Sequence, residues 1–173
     1  AVTVALSVSD TQHVIEQVAR RELELGVVGA QRRHRGVAFE PFFRDEVVLA
    51  VPRGHPFADR TVTIDELREE PIVLMQEGAG VRQVIEDELR GGGVRFRDLD
   101  VRLELGLQES ARSAAIAGYG ITFISRAAIE ADVVAGALAI ARVQGLDPAR
   151  EISLVRSTGR AETRVAQEFV DFA

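Results

Sequence analysis

The stretch of residues 39–57, FEPFFRDEVVLAVPRGHPF, constrains the fold of this chain more than any other. Residues 46–51 within it form a run rich in Val and Leu, which Pro52 ends and a Gly-His-Pro turn follows. Apolar runs that stop at a cluster of Pro and Gly are typical of strands leaving a sheet. A helical pattern and another strand-like run precede this segment, so it belongs to a chain in which strands and helices alternate.

The same alternation continues along the chain. Strands are predicted at residues 2–8, 23–30, 39–51, 72–75, 101–105, 121–124 and 152–155, and helices at residues 11–21, 63–69, 80–89, 109–117, 127–134 and 161–172. Thr63 and Glu66 have the spacing of a capping box at the start of the second helix. The predicted class is α/β, with mixed sheets flanked by helices.

The composition indicates a globular protein that acts in the cytoplasm. A chain of 173 residues with 46% apolar and 28% charged residues can bury the core of one domain or of two small lobes. Apolar runs long enough to span a bilayer are absent from the sequence, and the first residues do not form a signal peptide. The absence of cysteine excludes disulfides, thiolate nucleophiles and the usual structural zinc sites.

The charge of the chain argues against direct binding to nucleic acid. The formal net charge is −6, whereas a DNA-binding domain normally presents a basic face to the phosphates. All the cationic residues are arginine, a composition that a GC-rich genome also produces. Because the arginine side chain is a rigid fork suited to carboxylates, the composition is compatible with a bound acid.

Four segments of the sequence resemble the effector-binding domain of LysR-type transcriptional regulators. They are LELGVVGA at residues 23–30, EPFFRDEVVLAVPRGHPFA at 40–58, EEPIVLMQEGAGVR at 69–82 and LELGLQESARSAAIAGYGITFISRAAIE at 103–130. Each segment is weak evidence alone, since it consists mostly of apolar residues and glycines. Together they span most of the chain in the order that the family has.

The resemblance implies two Rossmann-like lobes, similar to a type-2 periplasmic binding protein, with an effector between them. Lobe I would comprise residues 1–52 plus 153–173, and lobe II residues 53–152. The DNA-binding winged helix-turn-helix of the family is absent from this chain, as are the first strand and the first helix of lobe I. We therefore expect the chain to be a truncation, or a segment of a partner to fill the gap in the first sheet.

The first candidate site is the turn formed by Gly78, Ala79, Gly80 and Val81. This turn enters a helix, so free backbone N–H groups and the positive end of the helix dipole would form an anion site. The resemblance places this turn at the effector cleft, where Ala79 and Val81 offer no hydroxyl group. A glycine-rich connection between a strand and a helix produces the same pattern without any ligand.

Further candidates for effector binding follow three other strands. Gln108 could bond an effector through its amide, or could cap its helix. Gly29 and Ala30 could leave room for a ligand, although a tight turn also needs small residues. Ser125 could supply a hydroxyl group to the site or belong to a hinge.

Other polar residues do not indicate catalysis, a metal site or a cofactor. Arg32, Arg33 and Arg35 surround His34 in a segment that could be a basic pocket but is more typical of a solvated turn. His13, His34 and His55 lack a spacing that would gather a metal ion, and the context of His55 between Gly and Pro favours a structural role. The sequence contains no G-x-S-x-G elbow.

The sequence therefore predicts a domain that senses a small metabolite, such as a carboxylate, and that dimerises. The resemblance implies a homodimer formed by the helix at residues 11–21 and the strand–helix region after Leu107, with DNA bound only through the absent N-terminal domain. A solute-binding protein of a transporter, an enzyme on the same scaffold and a dimerisation module without an effector remain alternatives, because a shared fold does not fix function.

Overall fold

The computed structural model describes residues 5–29, 31–159 and 163–172. In chain order the helices and strands are α1 (Thr11–Ala19), β1 (Leu25–Val28), β2 (Val37–Pro52), β3 (Thr61–Val62), α2 (Ile64–Arg68), β4 (Ile72–Met75), α3 (Gly80–Gly91), β5 (Val101–Leu105), α4 (Gln108–Ile116), β6 (Ile121–Ser125), α5 (Glu130–Val134), β7 (Leu138–Val143), β8 (Ala149–Ser157) and α6 (Arg164–Phe172). None of the helices described is long and apolar enough to cross a membrane.

The chain divides into two compact units. Unit 1 comprises Ala1–Phe43 and Glu151–Ala173, and unit 2 is the continuous segment Arg44–Arg150. The chain passes between the units within β2 and within β8, whereas the predicted lobe boundaries are at residues 52/53 and 152/153.

Unit 1 is built from α1, β1, α6, the first part of β2 and most of β8. β1 pairs antiparallel with β8, which lies next to β2 in the strand order. Helix α1 packs against these strands and contributes Ile15 and Val18 to a small apolar core. A Cβ atom on Gly26 would lie 2.7 Å from the Cγ1 of Val14, so the close approach of α1 to β1 requires a residue without a side chain at this position.

The sheet of unit 2 has the strand order β5-β4-β6-β2-β7, and β3 pairs along β7. β5, β4 and β6 run parallel to one another, while β2 is antiparallel to both β6 and β7. The carboxyl ends of β4, β5 and β6 therefore meet at one edge of the sheet. The part of β2 that opens unit 2 begins at the same edge, because Val47 pairs with Ser125 at the end of β6.

Both faces of this sheet are covered by apolar side chains. Val47, Leu49 and Phe123 face one side, where they join Ile85 of α3 in the largest apolar cluster of the described chain. The intervening residues of β2 and β6 face the opposite side and pack with Ala115 of α4. This alternation follows from the period of two along a strand, and it explains why a near-continuous apolar run is needed here.

The predicted helices and the strands at β1, β2, β4, β5, β6 and β8 are confirmed, with small changes at their ends. The capping box is also confirmed, since the Thr63 hydroxyl accepts the Glu66 N–H at 3.2 Å and a Glu66 carboxylate oxygen accepts the Thr63 N–H at 2.7 Å. The helix predicted at residues 127–134 is shorter, because α5 begins only at Glu130.

One predicted strand is wrong over its described residues, and two strands of the structure were not predicted. Residues 5–8 of the strand predicted at residues 2–8 form no strand, and Leu6 and Val8 are 88% and 84% exposed; residues 2–4 lie outside the described residues. The prediction failed because an alternating pattern cannot show whether a neighbouring strand is available for pairing. Strands β3 and β7 were not predicted. β7 has the sequence LAIARV, whose alanines and arginine favour a helix, and pairing with β2 and β3 overrides that preference.

Candidate functional site

The predicted site residues of unit 2 lie at the edge of the sheet where β4, β5 and β6 end. The turn before α3 follows β4, and Gly106 and Gln108 follow β5. Ser125 is the last residue of β6, and Asp45 is the second residue of the part of β2 that belongs to unit 2. Since open α/β sheets bind ligands outside the carboxyl ends of their strands, this edge is the candidate site.

The first of its components is the N-terminus of α3. Gly78 has a φ of +85°, a left-handed conformation that glycine adopts without strain. Ala79 is the N-cap residue and makes no side-chain cap hydrogen bond, because alanine has no acceptor. The helix begins at Gly80, and the side chain of Val81 is buried in the apolar cluster. The amide groups of this helix end therefore have no side-chain acceptor from the N-cap.

The second component joins Gln108 to Ser125. The Oε1 atom of Gln108 accepts a hydrogen bond from the backbone N–H of Ser125 at 3.2 Å. The pairing of β4 with β6 involves only Ile72 and Val73 of β4, so it ends before Ser125 is reached. The Gln108 side chain supplies the acceptor for the Ser125 N–H in place of a backbone carbonyl of β4. Gln108 is not the cap of α4, since Leu107 is the N-cap residue and no side chain caps this helix. The structure thus brings together two of the predicted site residues and excludes the capping role.

The third component is a buried ion pair that the sequence analysis missed. The Ser125 hydroxyl donates to Oδ1 of Asp45 at 2.5 Å, and the Nε of Arg150 donates to Oδ2 of Asp45 at 2.8 Å. The Asp45 side chain is 3% exposed. The period of two along β2 contained a signal for this burial, because Asp45 shares a face with the buried Val47 and Leu49.

The same ion pair holds the two ends of unit 2 together. Asp45 is the second residue of that unit and Arg150 is its last. The backbone N–H of Val47 also donates to the carbonyl of Pro148 at 2.9 Å. Arg44 and Asp147 add a weaker contact at 3.7 Å, which is solvent-exposed and therefore contributes little.

In unit 1 the predicted residues are Gly29 and Ala30. Gly29 directly follows β1 and is half-buried, whereas Ala30 lies outside the described residues. The next residue, Gln31, donates from Nε2 to the Ser153 hydroxyl at 3.0 Å and to Oε1 of Glu151 at 2.9 Å. Ser153 is completely buried. The sequence analysis singled out neither Gln31 nor Ser153, since a single serine within an apolar strand carries no pattern.

The arginine-rich turn and the histidines take no part in either group of residues. Arg32, Arg33 and Arg35 are exposed, as expected of a solvated turn. His55 accepts the Phe57 N–H at Nδ1, at 3.1 Å, and its Nε2 lies 3.3 Å from Oε2 of Glu70, which follows α2, so both ring nitrogens have a structural contact. Among the residues that the structure describes, no three His, Asp or Glu side chains are placed to hold a metal ion.

A second ion pair of unit 2 lies between α4 and α5. Arg112 donates from Nε and from its second guanidinium nitrogen to the two carboxylate oxygens of Asp132, each at 2.5 Å. The hydrogen bond from the Arg112 guanidinium holds the pKa of Asp132 below its usual range, against the opposing effect of desolvation. Neither residue is joined to Ser125 or Gln108 by these bonds.

Unit 2 also carries an apolar groove beside its edge strand. Strand β5 ends the sheet, and its Leu103 and Leu105 line the groove together with Ala114, Ala117 and Tyr119 of the α4 region. Tyr119 is 65% exposed. An edge strand with exposed apolar side chains is a surface that proteins usually cover.

Comparisons with known proteins agree with this architecture. The chain is 27% identical over 172 residues to the RuBisCO operon transcriptional regulator of Acidithiobacillus ferrooxidans, covering 99% of this chain and 55% of the relative. The regulatory domain of Synechocystis PCC6803 CcmR, solved in complex with 2-PG, is 22% identical with a TM-score of 0.82, covering 98% of this chain and 81% of that one. This structural likeness shows the fold.

A third relative has a different name. The phosphonates import ATP-binding protein PhnC of Anaeromyxobacter dehalogenans is 31% identical over 170 residues, which are 98% of this chain but 34% of that protein. The present sequence contains no lysine, so the matched region lacks the lysine of a P-loop that binds ATP.

The family model described as "LysR substrate binding domain" matches residues 1–173. The chain spans about half the length of the curated regulators that it matches. The resemblance predicted from the four sequence segments is thereby confirmed. The chain belongs to the LysR substrate-binding domain family, the effector-binding part of LysR-type transcriptional regulators.

Proposed function

We propose that this domain binds a small anionic metabolite at the edge of unit 2 and passes that signal to a DNA-binding domain of the full-length regulator. The observation that carries the proposal is the N-terminus of α3, where Ala79 offers no side-chain acceptor to the amide groups of the first turn. A carboxylate or phosphate oxygen would fill that role, and the helix dipole favours negative charge there.

The proposal includes the Gln108 amide as a second donor for the ligand. Its Oε1 is already used by Ser125, so its Nε2 group remains to bind an acceptor. A small acid is also the class of ligand in the solved CcmR regulatory domain, which was in complex with 2-PG. Binding stabilises a regulator state only to the extent that the ligand prefers that state.

A matched pair of variants tests this site. Ala79→Asp and Ala79→Asn both add a side chain that caps α3, and both should stabilise the free domain by about 0.5–2 kcal/mol. They differ in one charge. A thermal-shift screen of carboxylates and organophosphates should give ligands that raise the Tm of the wild type and of the Asn variant, and that no longer raise the Tm of the Asp variant.

Two results of this screen would contradict the proposal. If ligands raise the Tm of the Asp variant as much as that of the Asn variant, the anion does not bind at α3. If a folded wild-type domain binds no member of a broad panel, a dimerisation module without an effector becomes the better function. A ligand at 100 times its Kd should add roughly 2.7 kcal/mol of stability, so binding would be detected.

We also propose that the domain acts as a homodimer in the cytoplasm, as part of a regulator that is not an enzyme. The groove beside β5 supports an interface, because Leu103 and Tyr119 expose apolar surface next to an unpaired strand edge. Helix α1 is the second surface that the resemblance implies. Sedimentation equilibrium of the wild type and of Leu103→Glu tests this, and a wild-type domain that stays monomeric at millimolar concentration would disprove it.

A further inference from the structure

The chain of bonds from Gln108 to Arg150 determines which groups in the candidate site donate and which accept. Arginine can only donate hydrogen bonds, and an ionised carboxylate can only accept them. Arg150 donates to one oxygen of Asp45 at 2.8 Å, so the other oxygen is left for the Ser125 hydroxyl. The two charged residues, Arg150 and Asp45, therefore fix the polarity of this series of hydrogen bonds, that is, which group donates and which accepts in each.

Ser125 must therefore direct its only hydroxyl proton at Asp45. The 2.5 Å separation of Ser125 Oγ and Asp45 Oδ1 is that of a hydroxyl donating to a carboxylate. Once the proton is used in this way, the oxygen keeps lone pairs and nothing to donate. Any ligand that reaches Ser125 Oγ has to bring a donor of its own.

Gln108 has the opposite polarity. The backbone N–H of Ser125 can only donate, so the amide of Gln108 is oriented with Oε1 towards it, at 3.2 Å. The Nε2 group of Gln108 consequently points away from this bond with two hydrogens. The neighbouring N-terminus of α3 supplies donors as well. Ser125 is thus the acceptor within a site whose other groups donate.

We propose that Asp45 sets the ligand specificity of this site, and that the ligand is an acid that also carries a hydroxyl or ammonium donor. The acid group would bind Gln108 and the α3 amides, and the second group would donate to Ser125 Oγ. Asp45 touches no ligand in this proposal and is a positioning residue. The proposal rests on the proposed function, because it assumes that an anion binds at this edge.

The substitution Asp45→Asn makes a sharp test. Arg150 would hold the only acceptor oxygen of the new amide, so Nδ2 would face Ser125 and donate to it. The Ser125 hydroxyl proton would then be free to point at the ligand. One nearly isosteric change therefore converts Ser125 from an acceptor to a donor without changing the residues that contact the ligand.

The probes are pairs of acids that differ in one ammonium group, which can donate hydrogen bonds but cannot accept them: aspartate and succinate, alanine and propionate, and glutamate and glutarate. Their Kd values are measured by titration followed in ¹H–¹⁵N NMR spectra, in which Ser125 and Gln108 report directly. We expect the wild-type domain to bind the member with the ammonium group about tenfold more tightly, the ratio that one hydrogen bond supplies. In the Asp45→Asn variant we expect this preference to fall to unity or to reverse.

Two controls separate specificity from loss of structure. Ser125→Ala should abolish the preference while binding of the member without the ammonium group is kept. Asp132→Asn removes the carboxylate of another arginine pair in the same unit and should leave the preference unchanged. If Asp45→Asn weakens both members of a pair equally, Asp45 has only a structural role and the proposal is overturned.

A ligand-free measurement keeps the two proposals distinguishable. In the wild type, the Ser125 hydroxyl proton should exchange slowly enough to be detected by NMR, and both Nε2 hydrogens of Gln108 should exchange freely. The slow hydroxyl signal should disappear in Asp45→Asn. A rapidly exchanging hydroxyl proton in the wild type would overturn the assigned polarity. Failure of every acid to bind would overturn the anion site, and hence the specificity proposal that rests on it, while the polarity itself could still be confirmed.

Discussion

The two units fasten the end of a strand to a neighbouring strand by different chemistry. In unit 1, the neutral amide of Gln31 donates to the buried hydroxyl of Ser153 at 3.0 Å. In unit 2, the hydroxyl of Ser125 donates to the carboxylate of Asp45, which also pairs with Arg150. The first link also includes an exposed carboxylate, that of Glu151, which accepts from Gln31 at 2.9 Å and from Ser153 at 3.4 Å, whereas the carboxylate of the second link is buried.

This difference determines how much each unit depends on its link. Hydrogen bonds to an ionised group are roughly twice as strong as bonds between neutral groups, and a buried charge that loses its partner is costly. Gln31 is exposed, so water can replace its bond to Ser153. The Arg150 side chain is 14% exposed and has little access to water. Unit 2 is therefore expected to be the more sensitive of the two.

The largest expected effect is that of Asp45→Ala. This substitution leaves the Arg150 guanidinium without its carboxylate and should lower the free energy of unfolding by about 3 kcal/mol or more. The measurement is urea unfolding followed by circular dichroism. Asp45→Asn is the matched control, since it keeps the shape and one acceptor, and it should cost only about 1–2 kcal/mol. Equal losses in the two variants would mean that the whole effect comes from the negative charge, which both variants remove, and that the acceptor oxygen kept by asparagine contributes nothing.

A smaller effect is expected from a pair of serine substitutions, one in each unit. Ser125→Ala removes a short hydrogen bond to a buried carboxylate and should cost about 1.5–3 kcal/mol. Ser153→Ala removes a bond from the exposed Gln31 amide and a long bond of 3.4 Å to the exposed Glu151, and should cost about 1 kcal/mol. The same urea titrations give both values. A larger loss for Ser153→Ala would reverse the comparison and show that the link of unit 1 is the more important one.

The smallest effect concerns pH and again involves one carboxylate from each unit. The hydrogen bond from Arg112 lowers the pKa of Asp132 in unit 2, and the hydrogen bond from the His13 backbone N–H lowers the pKa of the helix cap Asp10 in unit 1. Because each folded-state pKa lies below the unfolded value of about 3.9, each contribution is present above that pH and is lost as the pH falls through the folded-state pKa.

Substitution by asparagine should separate these two cases. Asp132→Asn should destabilise the domain at pH 7, and its difference from the wild type should disappear below the lowered pKa. Asp10→Asn should change stability little at any pH, since asparagine caps a helix about as well as aspartate does. Urea midpoints between about pH 2 and 7 give both curves. A difference for Asp132→Asn that grows in acid would show that the sign is wrong.

Much of the fold could be predicted because local patterns and tertiary packing agree. Residues 46–51 form a run rich in Val and Leu, and in the structure they belong to strand β2, whose side chains are buried on both faces of the unit 2 sheet. The capping box at Thr63 was predictable for the same reason, since its two bonds join residues only three apart. Strand β7 was not predictable, because its composition favours a helix and its partners are distant in sequence.

The candidate site was predicted in part. Gly78, Ala79 and Gly80 follow a recognisable strand and open a helix, so their backbone arrangement could be read from the sequence. Gln108 and Ser125 were named separately, but their hydrogen bond was not foreseen. Asp45 and Arg150 were not predicted as site residues, since they are 105 positions apart in sequence and no local pattern connects them.

The amino-acid sequence alone determined the alternation of strands and helices, because that depends on apolar periodicity and on turn residues that act over a few positions. The family was indicated by the resemblance of four segments, which the match of the whole chain to the family model confirms. The roles of Gln108, Ser125 and Asp45 required the tertiary structure. Each role is a matter of which group donates and which accepts, and that depends on neighbours that the folded sheet brings together from distant parts of the chain. Propensity and periodicity contain no information about such neighbours.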